Sequence, residues 1–328
     1  MFPPKDFFWV HINCRTFNQS RFIQDTLEGF AAQRTDFPFL AVIMDDASTD
    51  GEQDIIEDYF SRFFGQGEDA CEERWETDDA RWIYARHNEN TNVFFLAILL
   101  KKNLFRNPKK SELIPDWTSA KYIAMCEGDD YWTDPMKLQK QVVFLEQNPD
   151  YSLCFTNCQV TDGKQIHKGN NFIWDTYTTR EMLLHNSLGL KSRKDNVVPP
   201  GHTSTIVYRK QSVKRPAWIY KCFIGDEPFF IWLSTFGKAK FINDVTSTYR
   251  QGVGVSSVNF SFVDDECKRI KMYRLIDKGL EYKYHRLISR DIIAEYYYSL
   301  VKRSFKQNDY LKTMRFFIGF LIHKSGIA

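Results

Sequence analysis

Short apolar runs alternate with amphipathic stretches over the first half of the chain, and most of these runs end in a polar cluster. "FFWVHI" (Phe7 to Ile12) leads into "NCRTFNQS", "FLAVIM" (Phe39 to Met44) into "DDASTDG", and "KYIAMC" (Lys121 to Cys126) into "EGDDYW". Continuous apolar runs this short predict strands buried on both faces. Between them lie helical patterns. The first has Ser20 as its cap and Ile23, Leu27, Phe30 and Ala31 on one face. The second has Ile55, Ile56, Tyr59 and Phe60. The third has Asp134 as cap, Pro135 in the first turn, and Leu138, Val142 and Leu145 aligned. "RWIYAR" and "YSLCFT" predict further strands. "TNVFFLAILLKKNL" predicts a helix, and the acidic "GQGEDACEERWETDDA" a solvated loop. Strands alternating with helices predict an α/β sheet with helices on both faces. Ligands in such sheets bind at the carboxyl ends of the strands, where these polar clusters lie.

The chain has 328 residues, room for one large domain or up to two ordinary ones. A hydrophobic share of 43% supplies a core. The net charge of +2 carries no global signal for nucleic acid. Seven scattered cysteines suit a reduced cytosol, and "CFTNC" (Cys154, Cys158) lacks the second ligand pair of a zinc site. The opening "MFPPKDFFWVHIN" has neither the basic nor the long apolar region of a secretory leader, and no apolar run reaches about 18 residues. A cytoplasmic location follows as the expectation. Beyond Gly163 the alternation weakens. "NSLGLKSRKDNVVPPGH" predicts a long loop, and the chain from Phe262 onward predicts aromatic-rich helices. From Ser299 to Ala328 there are six Lys/Arg and one acid, Asp309. That composition suits an interfacial helix on an anionic membrane, or else a packing or oligomer contact.

Three motifs can carry chemistry. In "DDASTDG" an acid at a strand end can accept hydrogen bonds from a ribose or base, or simply cap the next helix. No glycine-rich turn follows the first strand, which excludes a nicotinamide fold, and no phosphate-loop motif occurs. In "EGDD" the adjacent carboxylates of Asp129 and Asp130 repel, and a hard divalent cation, Mg²⁺ or Mn²⁺, would relieve that repulsion; the alternative is a pair of solvated loop acids, which the apolar strand before them disfavours. In "FIGDEPFFIWL" Asp226 and Glu227 sit within an apolar stretch. Partial burial would make either a better proton acceptor, while Asp226 and Pro228 also fit a helix start.

The ordered set "RTFN", "VIMDDASTDG", "YIAMCEGDDYWTDP", "IGDEPFFIWLSTFGKAKFI" and "STYRQGVGVSS" resembles the inverting family 2 glycosyltransferases of the GT-A fold, over roughly residues 6–257. The resemblance implies a mainly parallel nucleotide-binding sheet. It divides the chain into a glycosyltransferase domain at 1–257, with a nucleotide-sugar half at about 1–160 and an acceptor half at about 161–257, and a helical extension at 258–328. It implies that Thr16, Phe17 and Asn18 pack on the base, that Asp46 holds base or ribose with Asp45 and Ser48 in support, and that Asp130 ligates Mn²⁺ or Mg²⁺. Asp129 is implied at the ribose or the metal, Asp226 as general base, and Arg250 near the diphosphate. Trp132, His202 and Glu227 are weaker acceptor-side candidates. Where relatives carry His after a similar "YR", this chain has Gln251, and Asn88 and Asn90 stand where relatives have a glycine-rich stretch. The implied partners are a nucleotide-sugar donor, a uridine nucleotide by family frequency, and a glycan or lipid-linked acceptor, as in polysaccharide synthesis at the inner face of a plasma membrane. The alternatives are a nucleotidyltransferase, which needs a basic glycine-rich loop that "NCRTFNQS" lacks, and a nucleotide-sugar-binding protein without catalysis.

Overall fold

The structure, a computed structural model, describes residues 3–4, 7–65, 71–105, 107–167, 174–191, 201–211, 213–253 and 262–326. The first half runs β1 (Phe8–Thr16), α1 (Ile23–Ala31), β2 (Phe39–Asp45), α2 (Glu52–Phe63), β3 (Glu72–Glu76), β4 (Ala80–Arg86), β5 (Val93–Leu100), β6 (Ala120–Met125), β7 (Tyr131–Trp132), α3 (Lys137–Gln147) and β8 (Tyr151–Thr161). The second continues through β9 (Ile166–His167), β10 (Thr176–Tyr177), α4 (Thr179–Lys191), β11 (Ile206–Arg209), α5 (Ala217–Tyr220), α6 (Asp226–Leu233) and β12 (Lys238–Arg250). The chain then turns helical: α7 (Phe262–Gly279), α8 (His285–Leu287), a π-helical turn at Ile288–Ile293, α9 (Ala294–Lys306) and α10 (Tyr310–Ser325).

The described strands form one sheet in the order β10-β12-β8-β11-β6-β1-β2-β5-β4-β3, with β7 beside β12 and β9 beside β8. The sheet is mixed rather than mainly parallel. β5, β2, β1 and β6 form a parallel core. β11 then joins β6 and β8 antiparallel, and β3 and β4 add an antiparallel edge. Side-chain alternation sorts the core onto two faces. Phe39, Ala41 and Ile43 of β2 face α1, α2 and α3 together with Ile23, Leu27, Ile56, Phe60, Leu138 and Val142. Leu40, Val42 and Met44 face the other way, against Leu113, Ile114 and Trp117 of two short 3₁₀ turns between β5 and β6. Further along that second face, Leu153, Phe155 and Phe241 meet α4, α6, α7 and α9.

Several local expectations are corrected. "VFFLAILL" is a strand, not a helix: β5 lies between β2 and β4 with all eight residues buried. An apolar run buried on both faces has no periodicity to separate the two conformations. Part of the acidic segment expected as a solvated loop is β3, whose Trp75 stacks on Trp82 of β4 at 5.7 Å. Its residues 66–70 lie outside the described residues. β1 extends through Thr16, so "NCRT" is strand. Ser20 does not cap α1; its N–H donates to Asp50 instead. Asp134 accepts from Met136 N in the turn that enters α3 rather than capping that helix itself. The long loop expected from Asn186 begins within the last part of α4, and residues 192–200 lie outside the described residues.

Candidate functional site

The chain runs from β1 outward to β2 and β5, then returns to place β6 on the other side of β1. The strand order therefore reverses between β1 and β6. A crevice opens at the carboxyl ends of two strands whose connections diverge in this way. The loops after β1, β2 and β6 meet there.

The first two loops are laced together. Asp46 N–H donates to Thr16 O at 3.0 Å, Asn18 N–H to Ser48 Oγ at 2.8 Å, and Thr49 N–H to Asn18 Oδ1 at 2.8 Å. Beneath them Glu52, fully buried, accepts from Thr16 Oγ1, from Gln19 N at 2.8 Å and from Ser48 Oγ at 2.9 Å. Asn18 (φ 55°) and Ala47 (φ 61°) are left-handed. Alanine is uncommon in that region, and such strain concentrates at functional loops. Asp45 is buried and spent on Ser48 and Gln53, a supporting role.

Asp46 is also engaged. Its Oδ1 accepts from Leu104 N at 2.7 Å, its Oδ2 pairs with Lys110, and its carbonyl accepts from Asn103 Nδ2 at 3.0 Å. The β5–β6 connection thus straps across the acid expected to face a base. Phe17 is half-buried on the loop between them.

The acid turn after β6 is held from three sides. Gly128 permits a close approach of the loops: a Cβ there would lie 2.3 Å from Thr16 Oγ1 and 2.6 Å from Gln19 Oε1. Thr26 Oγ1 on α1 lies within hydrogen-bond distance of the carbonyls of Gly128 and Asp130, at 2.9 and 2.6 Å. Arg250, at the end of β12, donates its N–H to Asp130 Oδ1 at 3.0 Å and its Nη1 to Asp129 O at 2.8 Å, and its Nη2 pairs with Asp25. Its guanidinium lies 5.0 Å from the Phe22 ring centre and 4.4 Å from that of Tyr131. Expected near a diphosphate, Arg250 is placed as the clamp of this turn.

Burial dominates the electrostatics. Asp130 is raised well above the usual carboxylate range, by desolvation and then by the charges of Glu127 and Asp129. Asp129 is raised by desolvation. Glu127 is pushed up to about 7, by burial and then by Asp129 and Asp226, despite a hydrogen bond from Thr203. These three carboxyls and Asp226 also act together on Tyr249, raising its phenol after the effect of burial. Asp226, 97 residues beyond Asp129 in the numbering, is therefore brought within electrostatic reach of the β6 acids. It is exposed at the start of α6.

The acceptor-side candidates separate. His202 belongs to the cluster: its Nδ1 lies 3.5 Å from Asp130 Oδ2, and its ring centre 4.0 Å from that of Tyr249. Burial lowers its pKa to about 4, so it is neutral at pH 7. Trp132, at 4% exposure, presents little surface to a sugar; its Nε1 donates to Ser204 O at 2.8 Å and its ring packs on Phe30 at 4.8 Å. Glu227, at 6%, is the buried member of its acid pair. It accepts from Tyr273 and pairs with Arg269 at 3.1 Å, tying α6 to α7. Both fill structural places rather than facing an acceptor.

Glu127, Gln19, Thr26, Glu52 and Lys110 were not singled out in the sequence. Glu127 stands inside "CEGDD" and carried the clearest available signal, as a third acid at the same strand end. Lys110 and Thr26 carried none, because their roles depend on contacts 64 and 104 residues distant.

Glu127, Asp129 and Asp130 crowd carboxyl oxygens at one strand end, their repulsion partly offset by Arg250, and such oxygen donors fit a hard divalent cation. Among the described residues no three His, Cys, Asp or Glu side chains are already grouped as a metal site. The fit is therefore to an ion that shares its coordination with oxygens of a substrate.

Together these features define a mixed α/β protein with an acid-lined strand-end site at a topological switch point. No protein-family model matches the chain. Its fold is similar to that of S. aureus TarS 1-349 solved in complex with UDP-GlcNAc, with a TM-score of 0.58 and 14% identity over 96% of this chain and 81% of that one. It is likewise similar to the same protein in complex with UDP, with a TM-score of 0.55 and 13% identity over 97% and 91%. In sequence it is 31% identical over 198 residues to uncharacterized proteins of Mycobacterium tuberculosis and Mycobacterium bovis, 60% of this chain. The chain spans about 45% of the length of those relatives.

Proposed function

We propose that the chain is an inverting glycosyltransferase of the GT-A, family 2 type, moving a sugar from a nucleoside diphosphate sugar to a hydroxyl of a glycan or lipid-linked acceptor. The observation that carries this reading is the grouping of Glu127, Asp129, Asp130 and Asp226 near the end of β6, with Asp46 on the adjoining β2 loop. Likeness to a fold solved with UDP-GlcNAc and UDP supports a uridine donor.

The base end of the donor enters between the β1 and β2 loops, beside Phe17 and Asn18. A carboxylate at Asp46 accepts a ring N–H, which suits uracil. Leu104 and Lys110 give way for that contact. Asp130, with Asp129 beside it, would hold Mn²⁺ or Mg²⁺ together with the donor phosphates. Such an ion neutralises charge growing on the leaving diphosphate. Arg250 and Thr26 keep the acid turn in place. Asp226 accepts the proton of the acceptor hydroxyl. That oxygen bonds to the anomeric carbon as the bond to the diphosphate breaks on the opposite face, inverting the configuration. Glu227, pinned by α7, fixes the start of α6 that carries Asp226.

A panel of nucleotide sugars with Mn²⁺ and with Mg²⁺, read as nucleotide release, tests the class. One donor consumed in a metal-dependent way is the expected result. Pyrophosphate release from a nucleoside triphosphate and a sugar phosphate would instead favour a nucleotidyltransferase.

A further inference from the structure

Helix α10 carries apolar side chains on both sides: Phe316 packs on the core and Phe320 on Tyr298 of α9 at 5.6 Å. The same inner side carries polar tethers. Thr313 Oγ1 donates to Ser304 Oγ at 2.9 Å, and His323 lies 2.8 Å from Ser289 Oγ through Nδ1 and 3.3 Å from Arg274 through Nε2. Gly319 lets the helix settle on Tyr297, whose ring a Cβ would meet at 2.6 Å. These contacts fix its rotation. The outer face is left with Leu311, Met314, Phe317, Ile318, Leu321 and Ile322, all exposed, Leu311 at 86%. Their spacing of three and four residues draws one stripe along the helix. Phe305 and Tyr310, also exposed, extend it at the α9–α10 corner.

Charge decides what covers this stripe. At 100° per residue, Arg315 and Lys324 border it on opposite sides. Lys302 and Lys306 of α9 are exposed nearby in the chain. Of the acids around α10, Asp309 caps the helix and pairs with Lys312, and Glu295 of α9 lies 4.0 Å from Lys324. A second copy packing on this face would bring basic borders together while the neighbouring acids, Glu295 and Asp309, are already engaged within the chain, which disfavours self-association. An anionic bilayer answers both features: its acyl boundary takes the apolar stripe and its headgroups take the basic borders. No described helix is long and apolar enough to cross a membrane, which fits a helix lying in the interface plane.

We infer that the Leu311–Ile322 face of α10 docks the protein on anionic lipid, with the helix parallel to the bilayer surface. This stands apart from the proposed chemistry, because it rests on the helix alone.

Co-flotation of the full chain with vesicles tests it. One set contains phosphatidylcholine with a third phosphatidylglycerol, the other phosphatidylcholine alone. Binding to the anionic vesicles, at least tenfold weaker on the neutral ones and weakened by salt, is expected. Ile318→Glu with Leu321→Glu should abolish flotation while circular dichroism and UDP affinity stay as in the parent chain. Arg315→Gln should weaken it about fivefold, since each basic residue contributes about 1 kcal/mol near an anionic surface. Absence of flotation on either vesicle would overturn the inference. So would flotation unaffected by the glutamate pair, or a concentration-dependent dimer that the glutamate pair disperses, which would give the face to a second copy. Loss of UDP binding by the parent chain would count against the proposed function and leave the flotation result standing.

Discussion

Arg269→Met tests whether the C-terminal helices are part of the working unit or an appendage. Arg269 on α7 pairs with Glu227 at 3.1 Å and with Asp265 at 3.1 Å. Glu227 is 6% exposed, and its other carboxylate oxygen accepts from Tyr273. Removing one partner of a buried pair costs about 3–5 kcal/mol, because the remaining charge is stranded. The Arg269 side chain is 27% exposed, so water screens part of that cost, and about 2–3 kcal/mol is the expected loss. Its pH dependence has a definite sign. Glu227 already titrates above its unfolded value, chiefly through burial and against the pull of Arg269. Without Arg269 it rises further. A carboxyl raised in the folded state destabilises as pH climbs from the unfolded to the folded pKa. The deficit of the variant is therefore full above the folded pKa and narrows as pH falls. Urea unfolding at pH 8 and pH 5.5 reads both quantities. Arg269→Lys should recover part of the loss, and the double variant with Glu227→Gln should recover at least half of it through coupling between contacting residues. A loss under about 0.5 kcal/mol at pH 8, the scale of an ordinary surface substitution, or a double variant no better than Arg269→Met, would refute the stranded-charge reasoning.

Further consequences follow from the acid cluster and its loops. Burial pushes Glu127 up to about 7 when folded, from an ordinary carboxyl value of 4.5, so it costs stability as pH rises between those values. Glu127→Gln should stabilise the metal-free protein at pH 8 by about 1–3 kcal/mol and by much less at pH 5; equal effects at both pH values would contradict the buried carboxyl. Gly128→Ala drives a methyl against Thr16 and Gln19, at about 1–3 kcal/mol of strain. Calorimetry should record nucleotide affinity down at least tenfold, and unchanged affinity would mean the two loops need not touch. Lys110→Met frees Asp46 from its ion pair, so UDP should bind severalfold tighter, whereas Asp46→Ala should weaken it; weakening by both would make Lys110 a nucleotide ligand rather than a competitor.

What could be read from the sequence follows from how local each signal is. β1, β2, β6 and β8 are short apolar runs bounded by polar clusters, and the clusters mark strand ends whatever the partner strands are. The helical pattern beyond Phe262 was equally local. β5 was misread because "VFFLAILL" is apolar on every side, and the choice between helix and strand is made by β2 and β4 on its flanks. β3 was missed because its alternation of Arg and Trp with acids has one packed face, seen once Trp82 is beside it. The mixed sheet was hidden because β11, four residues long, inserts antiparallel far along the chain. At the site, strand-end acids were visible as motifs. Which of two adjacent acids is buried was not: Asp226 and Glu227 part company because α7 supplies Arg269 and Tyr273 to one of them. Trp132 was placed beside the acids correctly in sequence, but its ring turns inward to Phe30 and Ser204.

The central claim is that Asp226 takes the acceptor's proton while the β6 acids serve the donor. With the donor found in the nucleotide-sugar panel, Asp226→Asn should bind that donor with the affinity of the parent chain and lose transfer by at least a hundredfold, the lower end of a general base's contribution being ~10²-fold. Transfer by Asp226→Asn at the parent rate would contradict the account directly.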